Sequence, residues 1–278
     1  MSETQPSAAA ELTAASTSRT VEIGGSRLHY HDAGEGPVLL CIHGGAPGAY
    51  GWGNFGDNVA ALAEHFRVLV VDLPGYGQSE AIDLSAGRYS PMANRFIEML
   101  DALGIDKAHV VGLATGGAVA SLMAIRYADR VERLVLVSSA GGLPLFSVMP
   151  SEGQKHIQGY FKGEGPSPER MRKYLEVMLY DQSLLTDELV DDRYQASLVG
   201  APAEAGPMEQ VWSELHRIKA PTLVIWGRDN RVQGYDNALF MLNRIPDVEV
   251  HIFGKTGLLV PFERAERFNG LVREFCAG

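Results

Sequence analysis

Residues 110–117 read Val-Val-Gly-Leu-Ala-Thr-Gly-Gly, and this stretch decides the fold. A short apolar run passes directly into a helix-like segment, so the pattern predicts a strand that turns sharply into a helix. Glycines lie two positions before and two positions after the apex of the turn, which is Ala114. Because alanine has no hydroxyl, thiol or titratable proton, the apex offers no nucleophile.

The composition is typical of a soluble globular enzyme. The chain has 278 residues, of which 46% are hydrophobic and 21% charged. A net charge of −10 without a basic stripe argues against nucleic acid as a partner and disfavours an anionic membrane surface. No apolar run reaches the roughly 20 residues of a membrane span. The two cysteines, Cys41 and Cys276, are predicted to be plain thiols, which favours a cytoplasmic location.

Short strand-like runs alternate with longer helical stretches, which predicts an α/β protein with a doubly wound, mostly parallel sheet. Most of the predicted strands are unbroken apolar runs, as expected for strands buried on both faces. They span 27–31, 38–42, 68–71, 109–112, 134–137, 222–226 and 248–253. The predicted helices of this core span 54–65, 91–103, 115–127, 236–244 and 261–275.

The alternation divides the chain into three parts. Residues 1–19 are rich in Ala, Ser and Thr and are predicted to be a flexible arm. Residues 20–140 and 208–278 form the α/β core, whereas 141–207 lack a strand-like run and contain helical patterns. We therefore predict a helical lid at 141–207, over the carboxyl ends of the strands, where ligands bind in open α/β sheets.

Four motifs together resemble the α/β-hydrolase fold: residues 43–48, 72–79, 110–117 and 226–231. The 110–117 turn has the outline of the G-x-S-x-G nucleophile elbow. Further segments are similar to the meta-cleavage product hydrolases, which split C–C bonds in ring-opened aromatic compounds. These segments are 52–55, 179–189, 251–257 and 266–269.

The resemblance implies a Ser-Asp-His triad, and all three of its positions are replaced. The serine position is Ala114, the aspartate position is Asn230 and the histidine position is Leu258. Their neighbours Leu113 and Leu259 also replace polar or aromatic family residues. Loss of such a triad costs about a million-fold in rate. We therefore expect no hydrolysis, and no other Ser or Cys within hydrogen-bond reach of a His.

The resemblance also implies an oxyanion hole that survives these replacements. One backbone N–H belongs to Thr115, which follows the apex, and the other belongs to Gly45 in the His-Gly-Gly loop. Backbone donors do not depend on side-chain identity. They stabilise an enolate or phenolate as readily as a tetrahedral intermediate.

Four residues match family positions that face the substrate, and each has a simpler alternative. Asn54 is either a polar pocket residue or a helix N-cap, and Arg193 is either a pocket cation or a solvated helix charge. Met178 and Val232 are either pocket walls or core residues. The predicted pocket is apolar, with Leu113, Ala114, Leu258 and Leu259 among its walls.

The remaining histidines show no metal spacing, and no dinucleotide or phosphate loop is present, so we predict no metal and no cofactor. His43 belongs to the loop frame, and His29 and His31 alternate on an early strand as a candidate surface pair. Ser79 is a further candidate nucleophile, but we give it little weight because its motif is a structural turn in the fold that the chain resembles.

Three functions remain open. The favoured one is a cofactor-free enzyme of secondary metabolism that acts on an acidic, polyketide-like polycyclic aromatic substrate. Such an enzyme would either oxygenate this substrate with dioxygen or form a C–C bond in it. The second is a small-molecule binding protein without catalysis, and the third is a hydrolase that uses unrecognised residues. The sequence leaves open whether the chain forms a homodimer.

Overall fold

The computed structural model describes residues 12–199 and 206–277. One sheet of eight strands crosses this part of the chain, in the order β1-β2-β4-β3-β5-β6-β7-β8. β1 and β2 run antiparallel to their neighbours, and the pairs from β4 through β8 are parallel. The strands are β1 Ser18–Ile23, β2 Ser26–Ala33, β3 Val38–Ile42, β4 Arg67–Val71, β5 Ala108–Leu113, β6 Val131–Val137, β7 Thr222–Gly227 and β8 Val248–Phe253.

Helices cover both faces of the sheet, and this arrangement confirms the predicted α/β class. The helices are α1 Ala14–Thr17, α2 Gly51–Ala63, α3 Ser90–Ala102, α4 Thr115–Arg126, α5 Glu152–Gly159, α6 Pro168–Met178, α7 Asp187–Val199, α8 Asp236–Leu242, α9 Val260–Glu263 and α10 Ala265–Ala277. Every residue of the central strands β5 and β7 is buried, as unbroken apolar runs predict. Two apolar cores result, one on each face of the sheet.

Strand β1 is missing from the sequence prediction. Its residues Ser-Arg-Thr-Val-Glu-Ile are mostly polar, because it is an edge strand paired on one side with β2. The predicted arm 1–19 therefore overlaps ordered structure: α1 spans 14–17 and β1 begins at Ser18. The rest of that prediction, residues 1–11, lies outside the described residues.

The segment predicted as a lid contains α5, α6 and α7, and its described residues include no strand. Helix α6 packs against both α5 and α7. Its buried residues Met171, Tyr174 and Leu175 face the same core as the strand ends. Helix α6 thus packs the predicted lid segment, called the lid below, against the core.

Across residues 12–199 and 206–277, none of the helices combines the length and apolar character that a bilayer crossing requires.

Candidate active site

The turn after β5 has the strained backbone of a nucleophile elbow, although its apex is alanine. Ala114 adopts φ 47° and ψ −112°, a conformation that costs a non-glycine residue of the order of 1–3 kcal/mol. A Cβ on Gly112 would collide with the carbonyl oxygen of Gly116, and one on Gly116 would collide with that of Ile42. The two glycines therefore let α4 start directly against β5 and β3.

The residues that carry the predicted oxyanion donors lie side by side. A Cβ on Gly45 would be 2.8 Å from Thr115 Oγ1, so the loop and the start of α4 are in direct contact. Within the described residues, neither of these two backbone N–H groups donates to a protein acceptor. Tyr76 holds the loop by donating from its hydroxyl to the Gly45 carbonyl at 2.8 Å. The pair is therefore available to a ligand oxygen.

His43 is a structural part of this loop. Its Nδ1 lies 2.6 Å from the Gly44 carbonyl, and its Nε2 accepts a hydrogen bond from the Leu73 amide at 2.8 Å. Burial lowers its pKa to about 4, so the imidazole is neutral near pH 7. Both ring nitrogens are occupied, which excludes His43 as a free base.

A cavity of about 180 Å³ lies over the elbow and beneath the lid. Most of the predicted site residues converge there. The cavity is lined by Gly45, Asn54, Leu113, Ala114, Thr115, Met178, Val232, Leu258 and Leu259 from that prediction. Its volume is below the range of about 300–1,000 Å³ that is typical of drug-sized ligands. The cavity suits a narrow ligand better than the polycyclic one that we expected.

Leu258 occupies the position where the family has its base. Its backbone N–H donates to the Met178 carbonyl at 2.8 Å, and its side chain is 3% exposed. Leu259 is similarly buried beside it. The histidine position is therefore filled by an apolar side chain held by the lid, and no imidazole from the described residues lines this cavity.

Asn230 does not lie among the cavity-lining residues, which corrects the prediction for it. Its Oδ1 accepts hydrogen bonds from the Val232 and Gln233 amides, at 2.9 and 3.0 Å. Its Nδ2 is buried without a hydrogen-bond partner among the described residues. Asn230 thus shapes the loop after β7. The adjacent Asp229 points away and accepts from the Lys255 amide at 2.8 Å.

Arg193 also lies outside the cavity lining. It is 4% exposed, and its guanidinium donates to the carbonyls of Gly48 and Gly53. The same group stacks over the Tyr50 ring at 5.3 Å. Neither alternative from the sequence describes it: Arg193 is neither solvated nor in the pocket, but fastens α7 to the loop before α2. Burial lowers its pKa.

Asn54 lines the cavity, and the N-cap alternative is wrong because α2 begins three residues earlier, at Gly51. Its Oδ1 is buried and has no hydrogen-bond partner among the described residues. The same holds for the hydroxyl of Tyr174 and for Oε1 of Gln233, which also line the cavity. A buried polar atom without a partner costs about 1–3 kcal/mol. These atoms are therefore candidates to bind a polar ligand or water.

Sequence reasoning missed the polar part of the lining. Arg88, Tyr89, Gln154, Tyr174 and Gln233 all contribute to the cavity. They come from the loop before α3, from the lid and from the loop after β7, and no local motif marks them. Arg88 is the cation in this lining, and it is half-buried.

The early-strand histidines are buried, so the predicted surface pair is wrong. His29 Nδ1 lies 2.8 Å from Asp72 Oδ2, and His31 packs against Trp52 with ring centroids 4.7 Å apart. His29 Nε2 also lies 2.9 Å from Ser18 Oγ. The expectation that no other serine is within hydrogen-bond reach of a histidine is therefore wrong. Ser79 is structural, since its hydroxyl donates to the Asp72 carbonyl at 2.9 Å.

The described residues contain no group of three or more His, Cys, Asp or Glu side chains that could hold a metal ion. The chemistry available at the elbow is therefore polarisation of a carbonyl by two backbone amides in a mostly apolar cavity. The described lining of that cavity contains no serine or cysteine that could act as the nucleophile and no histidine that could act as the base.

A family model described as the alpha/beta hydrolase fold matches residues 37–265. A 2-hydroxy-6-oxononadienedioate/2-hydroxy-6-oxononatrienedioate hydrolase of Paraburkholderia phymatum is 39% identical, over 95% of this chain and 96% of its own length. A 2-hydroxy-6-oxo-6-phenylhexa-2,4-dienoate hydrolase of Burkholderia cepacia is 37% identical, over 96% and 99%.

The structure is similar to that of the meta-cleavage product hydrolase of Pseudomonas fluorescens, in a serine-to-alanine mutant complexed with acetates. The TM-score is 0.83 at 32% identity, covering 93% of this chain and 97% of that one.

These relatives overturn the function expected from the sequence. The prediction of a cofactor-free oxygenase or C–C bond-forming enzyme that tailors polyketides is wrong, because relatives that match almost the whole chain are named as hydrolases of 2-hydroxy-6-oxo-dienoates. The prediction equated loss of the triad with loss of hydrolysis. Matching over most of its length, the chain belongs to the α/β-hydrolase fold family and lies close to the meta-cleavage product hydrolases.

Proposed function

We propose that this protein is a slow C–C hydrolase that acts on a 2-hydroxy-6-oxo-dienoate in the Ala114 cavity, by direct attack of water. The observation that supports this most strongly is the neighbouring Gly45 and Thr115 amides, which are free to bind an oxyanion in a chain whose relatives are named hydrolases. Because Ala114 carries no nucleophile, no covalent acyl-enzyme forms.

The reaction needs one water molecule and no redox step. The substrate binds as its keto tautomer, and water adds to the C6 carbonyl while the two amides stabilise the developing oxyanion. The C5–C6 bond then breaks. Its electron pair passes into the vinylogous 2-oxo acid as a dienolate, which takes up the proton released by the water. The products are a carboxylic acid from C6 and a 2-hydroxydienoic acid.

Arg88 supplies a specific partner for such a substrate. The relatives' named substrates are mono- or dicarboxylates, and a guanidinium binds a carboxylate through two parallel hydrogen bonds. Asn54 and Tyr174 add unpaired polar atoms to the same lining. A narrow, acyclic dienoate also suits the volume of about 180 Å³. The buried free thiols Cys41 and Cys276 support a cytoplasmic location for this activity.

The test is turnover of the acyclic substrate 2-hydroxy-6-oxononadienedioate, followed by decay of its dienol absorbance and by chromatography of succinate. We expect an enhancement of about 10³-fold over buffer, the level that an oxyanion hole and binding alone sustain. Ala114→Trp fills the cavity and should abolish the enhancement. Arg88→Ala should raise KM with a smaller effect on kcat, since carboxylate binding is shared by ground and transition states.

Rebuilding the triad provides the matched comparison. Ala114→Ser alone should not raise turnover, because Leu258 cannot accept the hydroxyl proton. The triple variant with Asn230→Asp and Leu258→His should gain about 10²-fold or more. Wild-type turnover no faster than that of Ala114→Trp would overturn the proposal.

A further inference from the structure

We infer that this protein carries a second nucleophilic site, formed by Ser18, His29 and Asp72. Ser18 Oγ lies 2.9 Å from His29 Nε2, and His29 Nδ1 lies 2.8 Å from Asp72 Oδ2. These are the contacts that connect nucleophile, base and orienting carboxylate in a Ser-His-Asp triad. The three residues come from β1, β2 and the loop after β4, so they are unrelated to the elbow.

The contacts are compatible with the hydrogen-bond directions that the chemistry needs. An ionised Asp72 can only accept, so His29 Nδ1–H donates to Oδ2. In the neutral imidazole with its proton on Nδ1, His29 Nε2 is an acceptor for the hydroxyl hydrogen of Ser18. The imidazole and the carboxylate are 1% and 2% exposed, so bulk water does not compete for these bonds.

Asp72 is held rigidly as an ionised carboxylate. Its Oδ1 accepts from the Gly51 amide at 2.7 Å, and its Oδ2 accepts from the Gln78 amide at 2.9 Å. Burial alone would raise its pKa, but the hydrogen bond from His29 and these amides outweigh burial and lower it. At Gly77, with φ 52°, a Cβ would collide with this carboxylate. The local backbone is thus built around Asp72.

A cavity of about 510 Å³ gives access to Ser18. Ser18 is half-buried and lines it, together with His29, Trp52 and Gln78. Gln78 Nε2 lies 3.3 Å from His29 Nε2, so this side-chain amide contacts the same ring nitrogen as the Ser18 hydroxyl and also lines the cavity. Among their described linings, this cavity and the Ala114 cavity share no residue.

The lining favours a neutral aromatic ester. Trp52 and His31 offer two aromatic rings that contact each other at an interplanar angle of 51°, and burial lowers the pKa of His31 to about 4, so both rings are uncharged near pH 7. Asp192 lies at the rim and accepts from the Tyr50 hydroxyl at 2.7 Å, which disfavours an anionic ligand. We assign to the site aryl esters of short carboxylic acids.

The covalent step balances without a further reactant. Ser18 Oγ forms a bond to the ester carbonyl carbon as His29 Nε2 takes the hydroxyl proton. The carbonyl–aryloxide bond then breaks, and the leaving oxygen receives that proton from His29. Water, deprotonated by the same nitrogen, releases the acid and restores the Ser18 hydroxyl.

The test is labelling of the full chain by a fluorophosphonate, with the site mapped by mass spectrometry. Trypsin cleaves after Arg19, so Ser18 lies in the peptide of residues 1–19, and fragmentation distinguishes it from the other serines there. We expect one modified residue, Ser18. The labelling rate should fall about 100-fold or more in Ser18→Ala. It should be unchanged in Ser26→Ala, which removes a hydroxyl from the adjacent strand β2.

Hydrolysis of 4-nitrophenyl acetate gives a second readout, with a pre-steady-state burst of nitrophenol that Ser18→Ala removes and Ala114→Trp retains. Dienoate turnover should show the opposite pattern, so failure of one site is distinguishable from failure of the other. Wild-type protein that is unlabelled, or labelled at another residue, overturns the inference, and that result requires no variant to fold.

Discussion

At the scale of single residues, the elbow depends on sterics more than on chemistry. Ala114 has the positive φ of a nucleophile position although it carries no nucleophile. Close backbone contacts at Gly112 and Gly116 confine the chain on both sides of this turn. The backbone amides of the oxyanion pair follow from the same geometry. Alanine in place of serine at position 114 therefore leaves the two oxyanion-binding amides in position.

These backbone contacts predict opposite effects on stability for two glycine-to-alanine changes. Gly116→Ala places a Cβ against the Ile42 carbonyl and should lower the free energy of unfolding by about 3 kcal/mol. Gly270→Ala lies in α10, where an added Cβ meets no atom within 4 Å, and should raise stability by about 0.5–1 kcal/mol. Urea denaturation of both variants checks the pair. Equal effects of the two changes would contradict the prediction.

At the scale of elements, one carboxylate joins the lid to the core. Glu263, in α9, accepts from the amides of Tyr180 and Asp181 in the lid at 2.8 and 3.1 Å. It also accepts from the Gly257 amide at 2.7 Å, next to Leu258. Burial raises its pKa, whereas the three amides favour the ionised form. The lid and the loop that carries Leu258 are thus hydrogen-bonded to the same side chain.

Glu263→Gln should therefore loosen both segments together. The amide nitrogen of glutamine cannot accept from a backbone N–H, so at least one buried donor is left unpaired, at a cost of about 1–3 kcal/mol. We expect faster hydrogen exchange in 179–185 and 255–258, with exchange in β5 unchanged. Glu266→Gln, at an exposed position of α10, is the control. Unchanged exchange near residue 180 would show that the lid is held by other contacts.

At the scale of the whole molecule, two buried neutral histidines make stability depend on pH. Burial lowers the pKa values of His31 and His43 to about 4, whereas both return to about 6.5 in the unfolded chain. The unfolded state therefore takes up protons first as the pH falls. Their contribution to stability is complete above about pH 6.5 and is lost progressively toward pH 4.

Each histidine should account for a loss of about 2 kcal/mol between pH 7 and pH 5. Urea denaturation at both pH values measures the sum. His31→Asn should remove the contribution of His31 to this loss of stability, whereas His216→Asn, at an exposed position, should leave the loss unchanged. If His31→Asn shows the wild-type loss, the imidazole is protonated in the folded state and the assignment fails.

The sequence by itself determined the frame of this protein and the absence of its usual triad. Strand-like runs predicted seven of the eight described strands, and the runs of the fully buried strands β5 and β7 are almost entirely apolar, because a strand buried on both faces has few polar positions. Adjacent residues fix the elbow, so the 110–117 glycines were enough to predict its turn, whereas the amide donors of Gly45 and Thr115 were implied by the resemblance to the α/β-hydrolase fold. The identities at positions 114, 230 and 258 excluded an acyl-enzyme at the elbow.

Only the tertiary structure decided which groups the polar side chains contact. Arg193 and Asn230 turn toward backbone carbonyl and amide groups that hydrogen-bond part of each side chain, and a sequence does not show which partners are in reach. The contact of Ser18 with His29, and of His29 with Asp72, spans 11 and 43 residues of chain. Such a cluster forms when β1, β2 and β4 assemble into one sheet, and no spacing along the chain marks it.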